Sequence, residues 1–388
     1  MKNLPSKSDI IIIGGGIIGV SIAYYLAKRN VTNILLIEKG IMGEGATGKC
    51  AGGIRTQFST VVNVELSKVS INTINGFQAE FGVDPEFQKI GYLFLAANEQ
   101  QLSVLQRNKA LLQSLDLDMD LLDRESLQSQ YPFLNTDDLL GGSFTGDDGY
   151  AGPYEMLQGF AKNARRLGAV LKEGIEVTGI HHSKGAISGI ETSTGQRIDC
   201  NVLINAAGPF ASQVALMAGL DLPVLPIRRQ LFFTDRFNHV PREIPMIIDL
   251  EYGWYMRREG DGLLLAGPKD EESSFKQYVD NDAWEWTAER SLHRVPVLEK
   301  SRISSSWAGL YSLSPDNHAI IGEFPELKGF ICANGFSGHG FMHSPAVGML
   351  VSELVTTGKT ETLDIRPLRP TRFREDDLIT ESLTAFRS

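Results

Sequence analysis

The feature that most constrains this chain lies at its start. A β-branched run, Asp9–Ile13, passes into Gly14-Gly15-Gly16-Ile17-Ile18-Gly19 and then into an apolar stretch over Ile17–Arg29. The run reads as a strand buried on both faces, and the stretch after the glycines reads as a helix. Ile34–Ile37 is a second buried strand that ends at Glu38, so the segment predicts the βαβ unit of a parallel sheet. In such a G-x-G-x-x-G turn the first glycine makes the bend, and the second lets the backbone approach a pyrophosphate. The third lets helix pack closely on strand. The helix N-terminus offers N–H groups and the positive end of its dipole to phosphates. Glu38, nineteen residues past Gly19, can bond a ribose hydroxyl and would repel the extra phosphate of NADP. Gly14, Gly16, Ile17, Ile18, Gly19, Glu38 and Lys39 are therefore expected to line a dinucleotide site.

The same apolar run, Ile10–Ala27, follows Lys2 and Lys7 and has the length of a signal peptide or membrane span. Gly14–Gly19 would make a poor helix centre, so strand, turn and helix is the better reading, with no targeting or transmembrane segment expected. A cytoplasmic location is the default expectation. The net charge of −10 comes without a basic stripe, which argues against nucleic acid. The three cysteines, Cys50, Cys200 and Cys332, are odd in number, far apart and without a CxxC. They predict free thiols rather than a disulfide framework or a zinc site, and His181-His182 has no partner in sequence, so no metal is expected.

A chain of 388 residues is long enough for two cores. Val62–Phe81, Glu99–Ser114 and Pro153–Leu167 read as helices, and Gly91–Ala97 as a strand. Hairpin strands are expected around Gly174–Asp199, with Gly189 and Gly195 as turn signals, followed by a buried strand at Val202–Asn205. From Leu225 the pattern changes to strands rich in aromatic residues and arginine, then a helix around Trp284–Arg294. Gly329–Ala333 returns to the first style, before a helix opened by Ser344 as N-cap and Pro345 as first residue. The expected fold is α/β: a discontinuous Rossmann-type nucleotide-binding domain with an inserted α+β substrate domain on a mostly antiparallel sheet. The nucleotide-binding segments are 1–86, 150–224 and 307–388; the substrate segments are 87–149 and 225–306.

The loop after Glu38, KGIMGEGATGKCAGG, decides between dinucleotides. A nicotinamide enzyme has no evident need for a glycine-rich loop there, whereas an isoalloxazine ring must pass close over the backbone. Gly45, Ala46, Thr47, Ala51, Gly52 and Gly53 are accordingly expected beside a flavin; a mobile surface loop is the alternative.

The stretches IIIIGGGIIGVSIAYYLAKRN, GEGATGKCAGGIRTQF, LINAAGPFA, WAGLYSLSPDNHAIIG and NGFSGHGFMHSPAVGMLVSEL together resemble the D-amino-acid-oxidase superfamily of FAD oxidoreductases over nearly the whole chain. Within it they are most similar to the sarcosine oxidase branch, and especially to β subunits of heteromeric L-proline dehydrogenases. The resemblance implies oxidation of an amine next to a carboxylate, by hydride transfer to flavin N5 followed by imine hydrolysis. It extends the expected flavin contacts to Val177, Ala207, Gly208, Gly309, Gly338, His339, Gly340, Phe341 and Met342. It further implies a heteromeric partner subunit that carries electrons onward, with a second flavin shared between the chains.

Arg55 is the expected anchor for a substrate carboxylate, with a salt bridge to Glu44 or to the pyrophosphate as the alternative. Tyr255, with Tyr252 and Trp254, either walls the amine site or is sheet core. Only one of the adjacent Arg228 and Arg229 can face inward, and Arg257 is a further candidate anchor. His339 contacts flavin or substrate, or spaces a turn. Lys269 matches only loosely a lysine that activates oxygen in some relatives. The chain also departs from those relatives. Near Gly309 it lacks the cysteine that attaches FAD in monomeric sarcosine oxidases, so FAD is expected to be non-covalent. Met342 replaces a lysine and Tyr311 replaces an arginine, both of which grip carboxylates elsewhere. These departures favour a small secondary amino acid such as proline or sarcosine. The competing readings are a primary amino acid oxidase, an FAD-binding accessory protein without turnover, and an NAD-dependent dehydrogenase.

Overall fold

Ile10–Ile13 forms a strand with every residue buried, and it lies inside a six-stranded sheet. The computed structural model of the chain describes residues 4–385; positions 1–3 and 386–388, the outer ends of the 1–86 and 307–388 segments, lie outside it. Ile34–Ile37 and Val202–Asn205 flank the first strand in parallel, in the register Ile10↔Ile34 and Ile10↔Val202. Val170–Lys172 and Phe330–Asn334 extend the sheet in parallel, and Ile320–Glu323 closes one edge antiparallel. The helix Ile17–Lys28 is buried over nearly its whole circumference. On either side it meets the long helix Gly340–Thr357 and the helix Pro153–Arg166, so its apolar character all round is what its position demands.

The second layer is an eight-stranded sheet. Its order is Ile303–Leu313, Leu225–Thr234, Gly262–Lys269, Tyr255–Glu259, Met246–Asp249, Tyr92–Ala96, Gly141–Thr145 and Asp120–Asp123. All neighbours are antiparallel except Tyr92–Ala96 with Met246–Asp249. A mixed fold with a Rossmann-type sheet and a mostly antiparallel second sheet is thus what the chain adopts. The segment boundary drawn at 306/307 falls inside the strand Ile303–Leu313.

Three local readings need correction. Val62–Phe81 is two helices, Val61–Asn75 and Phe77–Phe81, separated at Gly76. The turn of the Val177–Ser183/Ala186–Thr192 hairpin is Lys184-Gly185, both at positive φ, while Gly189 sits within a strand at a register shift. The last long helix starts at Gly340 with His339 as N-cap, and Pro345 lies inside it. Proline at that place removes the N–H that would reach the Phe341 carbonyl. The Ser344 hydroxyl donates to that carbonyl at 2.8 Å, and this substitution of side chain for backbone lets the helix run on.

Candidate active site

A cavity of about 630 Å³ runs between the two sheets. At one end the turn Gly14–Gly19 joins strand to helix. A Cβ on Gly19 would stand 2.0 Å from the Gly14 carbonyl oxygen, so the third glycine serves close packing and is the single expected dinucleotide residue that does not line the cavity. Gly14, Gly16, Ile17, Ile18, Glu38 and Lys39 do line it. Glu38 is held by the N–H groups of Gly15 and Gly40 at 2.7 and 2.8 Å, one on each carboxylate oxygen. Each oxygen keeps a lone pair that a ribose hydroxyl can use. Thr47 folds back over the helix start and accepts from the Ile17 N–H at 3.0 Å. Gly208 and Gly45 have nothing within 4 Å of where a Cβ would stand. That open cradle of small residues fits a dinucleotide laid along the turn.

The middle of the cavity is the loop that follows. Gly45, Ala46, Thr47, Ala51, Gly52 and Gly53 line it, facing Val177, Ala207, Gly208 and Gly309 across the space. Arg257 is not a lining residue: its Nε donates to the Ala51 carbonyl at 2.6 Å, and Glu259 pairs with it at 2.6 Å. It pins the loop from behind. Cys50 also lines the cavity, and burial pushes its thiol up to about 11, so it stays protonated.

At the far end the turn Gly335–Gly340 delivers the start of the long helix, where no side chain caps the N-terminus. Gly338, His339, Gly340, Phe341 and Met342 all reach the cavity. Gly338 has φ +91° with Tyr311 3.0 Å from where its Cβ would be, so glycine is needed there for both backbone and space. Uncapped N–H groups with a helix dipole behind them suit a group that gains negative charge.

Arg55 and His339 lie together. Arg55 is 1% exposed, with Phe58 stacked 3.8 Å from its guanidinium. It donates to the Gln57 carbonyl and, at 3.1 Å, to His339 Nε2. Guanidinium only donates, so His339 Nε2 must accept and the ring is neutral, with its proton on Nδ1. Behind Arg55 lies Asp148, fully buried. The backbone and hydroxyl of Thr56 hold its Oδ1 at 2.8 and 2.9 Å, while Oδ2 has no partner among the described residues. Burial raises this carboxyl to about 7, against the opposing pull of Thr56 and Arg55. Nothing in the sequence around Asp148 singles it out.

The aromatic trio divides. Trp254 is core, its indole donating to Ser291 at 2.9 Å; Tyr252 packs beside His293 at the periphery. Tyr255 alone of the three lines the cavity, and burial, then Tyr311, push its hydroxyl far above the ordinary tyrosine range, so it remains a donor. Of the arginine pair, Arg229 faces in and Arg228 faces out to Asp270 and Asp280. Lys269 is not among the lining residues. Tyr92, Leu231, Met246 and Ile248 complete the apolar wall and were not singled out from the sequence. The acids of the lining, Glu38, Glu44 and Glu176, belong to the nucleotide half: Glu44 packs on Gly40, and Ile175 bonds the Glu38 carbonyl. Among the described residues no group of three or more His, Cys, Asp or Glu is gathered for a metal. No described helix is long and apolar enough to cross a membrane.

Residues 9–354 match the family model described as FAD dependent oxidoreductase. The chain is 30% identical to FAD-dependent oxidoreductase domain-containing protein 1 of Xenopus laevis, over 97% of this chain and 85% of that protein. It is also 30% identical to human mitochondrial dimethylglycine dehydrogenase, over 95% of this chain but only 44% of that longer protein. Among solved structures, L-proline dehydrogenase from P. horikoshii superposes with a TM-score of 0.90 at 32% identity, covering 97% of this chain and all of the other.

Proposed function

The chain belongs to the FAD dependent oxidoreductase family, and on that premise we propose that it oxidises the C–N bond of a small secondary amino acid such as proline or sarcosine. That it is an FAD-dependent oxidoreductase of the amine and amino-acid kind follows from its relatives as a group. The choice of a secondary amine rests on one observation: the far end of the cavity combines buried arginine with an apolar wall and carries no acidic side chain. A carboxylate is welcome there, and Leu231, Met246, Ile248 and Tyr92 leave apolar room for an N-alkyl group or a ring. A charged ammonium finds no counter-ion, so the amine enters neutral, as loss of a hydride from its neighbouring carbon requires.

Bound FAD supplies the acceptor for that hydride. The residues of this chain do the rest. Gly14–Gly19 and Glu38 hold the nucleotide, and the loop around Ala46–Gly53 carries the ring, held without a covalent bond. The uncapped helix start at Gly340 stabilises charge at the ring edge. Neutral His339 is fixed by Arg55 and neither takes nor gives a proton through Nε2. Tyr255 keeps its proton and orients the substrate. Leu231 and Met246 exclude water from the reacting carbon. We further place the protein in the cytoplasm, passing electrons to a partner subunit that shares a second flavin.

The experiment is anaerobic addition of L-proline, sarcosine and D-alanine to the purified yellow protein, followed by air. Bleaching by proline or sarcosine, with slow recolouring, is the expected result; rapid recolouring with peroxide would move it to a stand-alone oxidase. A flavin that no secondary amino acid bleaches would overturn the proposal. Acid precipitation should release the flavin into the supernatant, and flavin retained in the pellet would contradict non-covalent binding.

A further inference from the structure

Arg229 is 6% exposed and sits on the strand Leu225–Thr234 with its side chain on the cavity side. Strand alternation fixes that direction, because Arg228 beside it is held outward by Asp270 and Asp280. The ring of Tyr255 lies 5.2 Å from its guanidinium carbon, the guanidinium hydrogen-bonds the Tyr255 hydroxyl, and Nη2 donates to the Gly253 carbonyl. Nε is buried and has no partner among the described residues. The other buried arginines are better provided for. Arg228, Arg257, Arg294 and Arg372 each pair with a carboxylate. Arg258 directs Nε, Nη1 and Nη2 at the carbonyls of Pro241, Phe237 and Val240. Arg55, the other arginine of the cavity, holds Gln57 and His339.

A buried guanidinium without an anion is costly, and an orphaned N–H on it adds to the cost. A fold retains such an arrangement where a ligand supplies the missing charge. We infer that Arg229 receives the carboxylate of the substrate, and that Arg55 is a positioning residue for His339 rather than the anchor. This rests on the amino-acid reading of the site. It narrows the substrate class to amines whose carboxylate points toward the strand Leu225–Thr234, away from the Arg55–His339 pair.

The test uses the FAD-loaded protein and two readouts. In the first, pyrrole-2-carboxylate, a flat analogue of proline, is titrated while the visible flavin spectrum is followed. In the second, the limiting rate and apparent Kd of anaerobic reduction are measured with L-proline and with pyrrolidine, which lacks the carboxylate. Arg229→Met should weaken pyrrole-2-carboxylate by roughly 10²- to 10³-fold, the loss expected when one partner of a buried charge pair is truncated. It should raise the apparent Kd for proline far more than it lowers the limiting rate, and shrink the preference for proline over pyrrolidine. Arg229→Lys keeps charge without the fork and should lie between; if the Met variant does not load FAD, the Lys variant decides. Unchanged carboxylate affinity in a fully loaded variant, or a wild-type spectrum indifferent to the carboxylate, overturns the inference. So does finding the same loss in Arg55→Lys but not in Arg229→Lys. If the carboxylate binds through Arg229 while no amino acid reduces the flavin, the proposed reaction fails and the anchor stands.

Discussion

Asp148 offers a prediction whose size follows from its surroundings. Its carboxyl is fully buried, its Oδ1 is held by Thr56, and its Oδ2 meets no donor among the described residues. Burial outweighs Thr56 and the nearby Arg55, lifting the group from 3.8 to about 7. A raised acid binds its proton more tightly in the folded state, so between those two values the folded chain holds more protons than the unfolded one. Stability therefore falls as pH rises through that window and is level above it. At 1.36 kcal/mol per pKa unit the cost is about 2 kcal/mol at about pH 5 and about 4 kcal/mol once the folded group ionises. Asp148→Asn keeps the shape and the acceptor for Thr56 but cannot ionise. Urea unfolding of both FAD-loaded proteins should show the variant gaining on the wild type by roughly 2–3 kcal/mol between about pH 5 and about pH 8.5. Titrating groups that do not interact with Asp148 cancel in that difference. A gap that stays the same at both pH values would refute the account, because the carboxylate would then be accommodated as readily as the acid.

Two further substitutions test the frame around the site. Gly19→Ala puts a methyl group 2.0 Å from the Gly14 carbonyl oxygen, against backbone that cannot yield, so the helix must lift from its strand; loss of bound FAD in the visible spectrum, with far-UV circular dichroism largely kept, is expected, and a fully yellow variant would count against the packing role of that glycine. Burial alone would raise the Asp316 carboxyl, but Arg372, bonded to both its oxygens at 2.8 and 2.9 Å, holds it below 3.8. Its contribution is present above that value and is lost as pH falls further. Arg372→Met leaves the carboxylate buried without a counter-ion, held only by the His318 N–H at 3.2 Å and the Ser314 hydroxyl at 3.4 Å, at a cost of about 3–5 kcal/mol in urea unfolding near neutral pH; a loss under about 1 kcal/mol would mean that water reaches Asp316.

Much of the nucleotide half was legible because its signals are local. Strand, glycine turn, helix and Glu38 follow one another within one stretch, and the backbone geometry they need belongs to those residues themselves. The helix start at Gly340 was not legible for the opposite reason. Ser344-Pro345 reads as cap and first residue, but the Ser344 hydroxyl replaces the N–H that Pro345 lacks. Its carbonyl is in turn held by Ser21 at 2.8 Å, a partner 323 residues away in the chain. No reading of neighbours in sequence could supply that contact.

The substrate half was hidden by symmetry rather than by distance. A strand with one wet face announces its inner residues by alternation, but the central strands of the eight-stranded sheet are buried on both faces. Tyr92, Phe94, Leu231, Phe233, Met246, Ile248, Tyr255 and Leu264 pack in one cluster, while Leu93, Leu95, Phe232, Ile247, Trp254, Met256, Leu263 and Leu265 pack in another. Both sets are apolar, so composition cannot say which belongs to the site. The register can: Ile248 pairs with Tyr255, Met246 with Tyr92, and Leu264 with Phe233, so one inward residue fixes all the others. Arg228 provides that fix, because Asp270 and Asp280 hold it on the outer side. Arg229, Leu231 and Phe233 must then face inward on the same strand, and pairing carries the assignment across to Tyr255 and leaves Trp254 in the core. Had the acids lain on the inner side beside Arg229 instead, the guanidinium on this wall would already be paired. The outward ion pairs of Arg228 are thus what leave its neighbour free to meet a substrate.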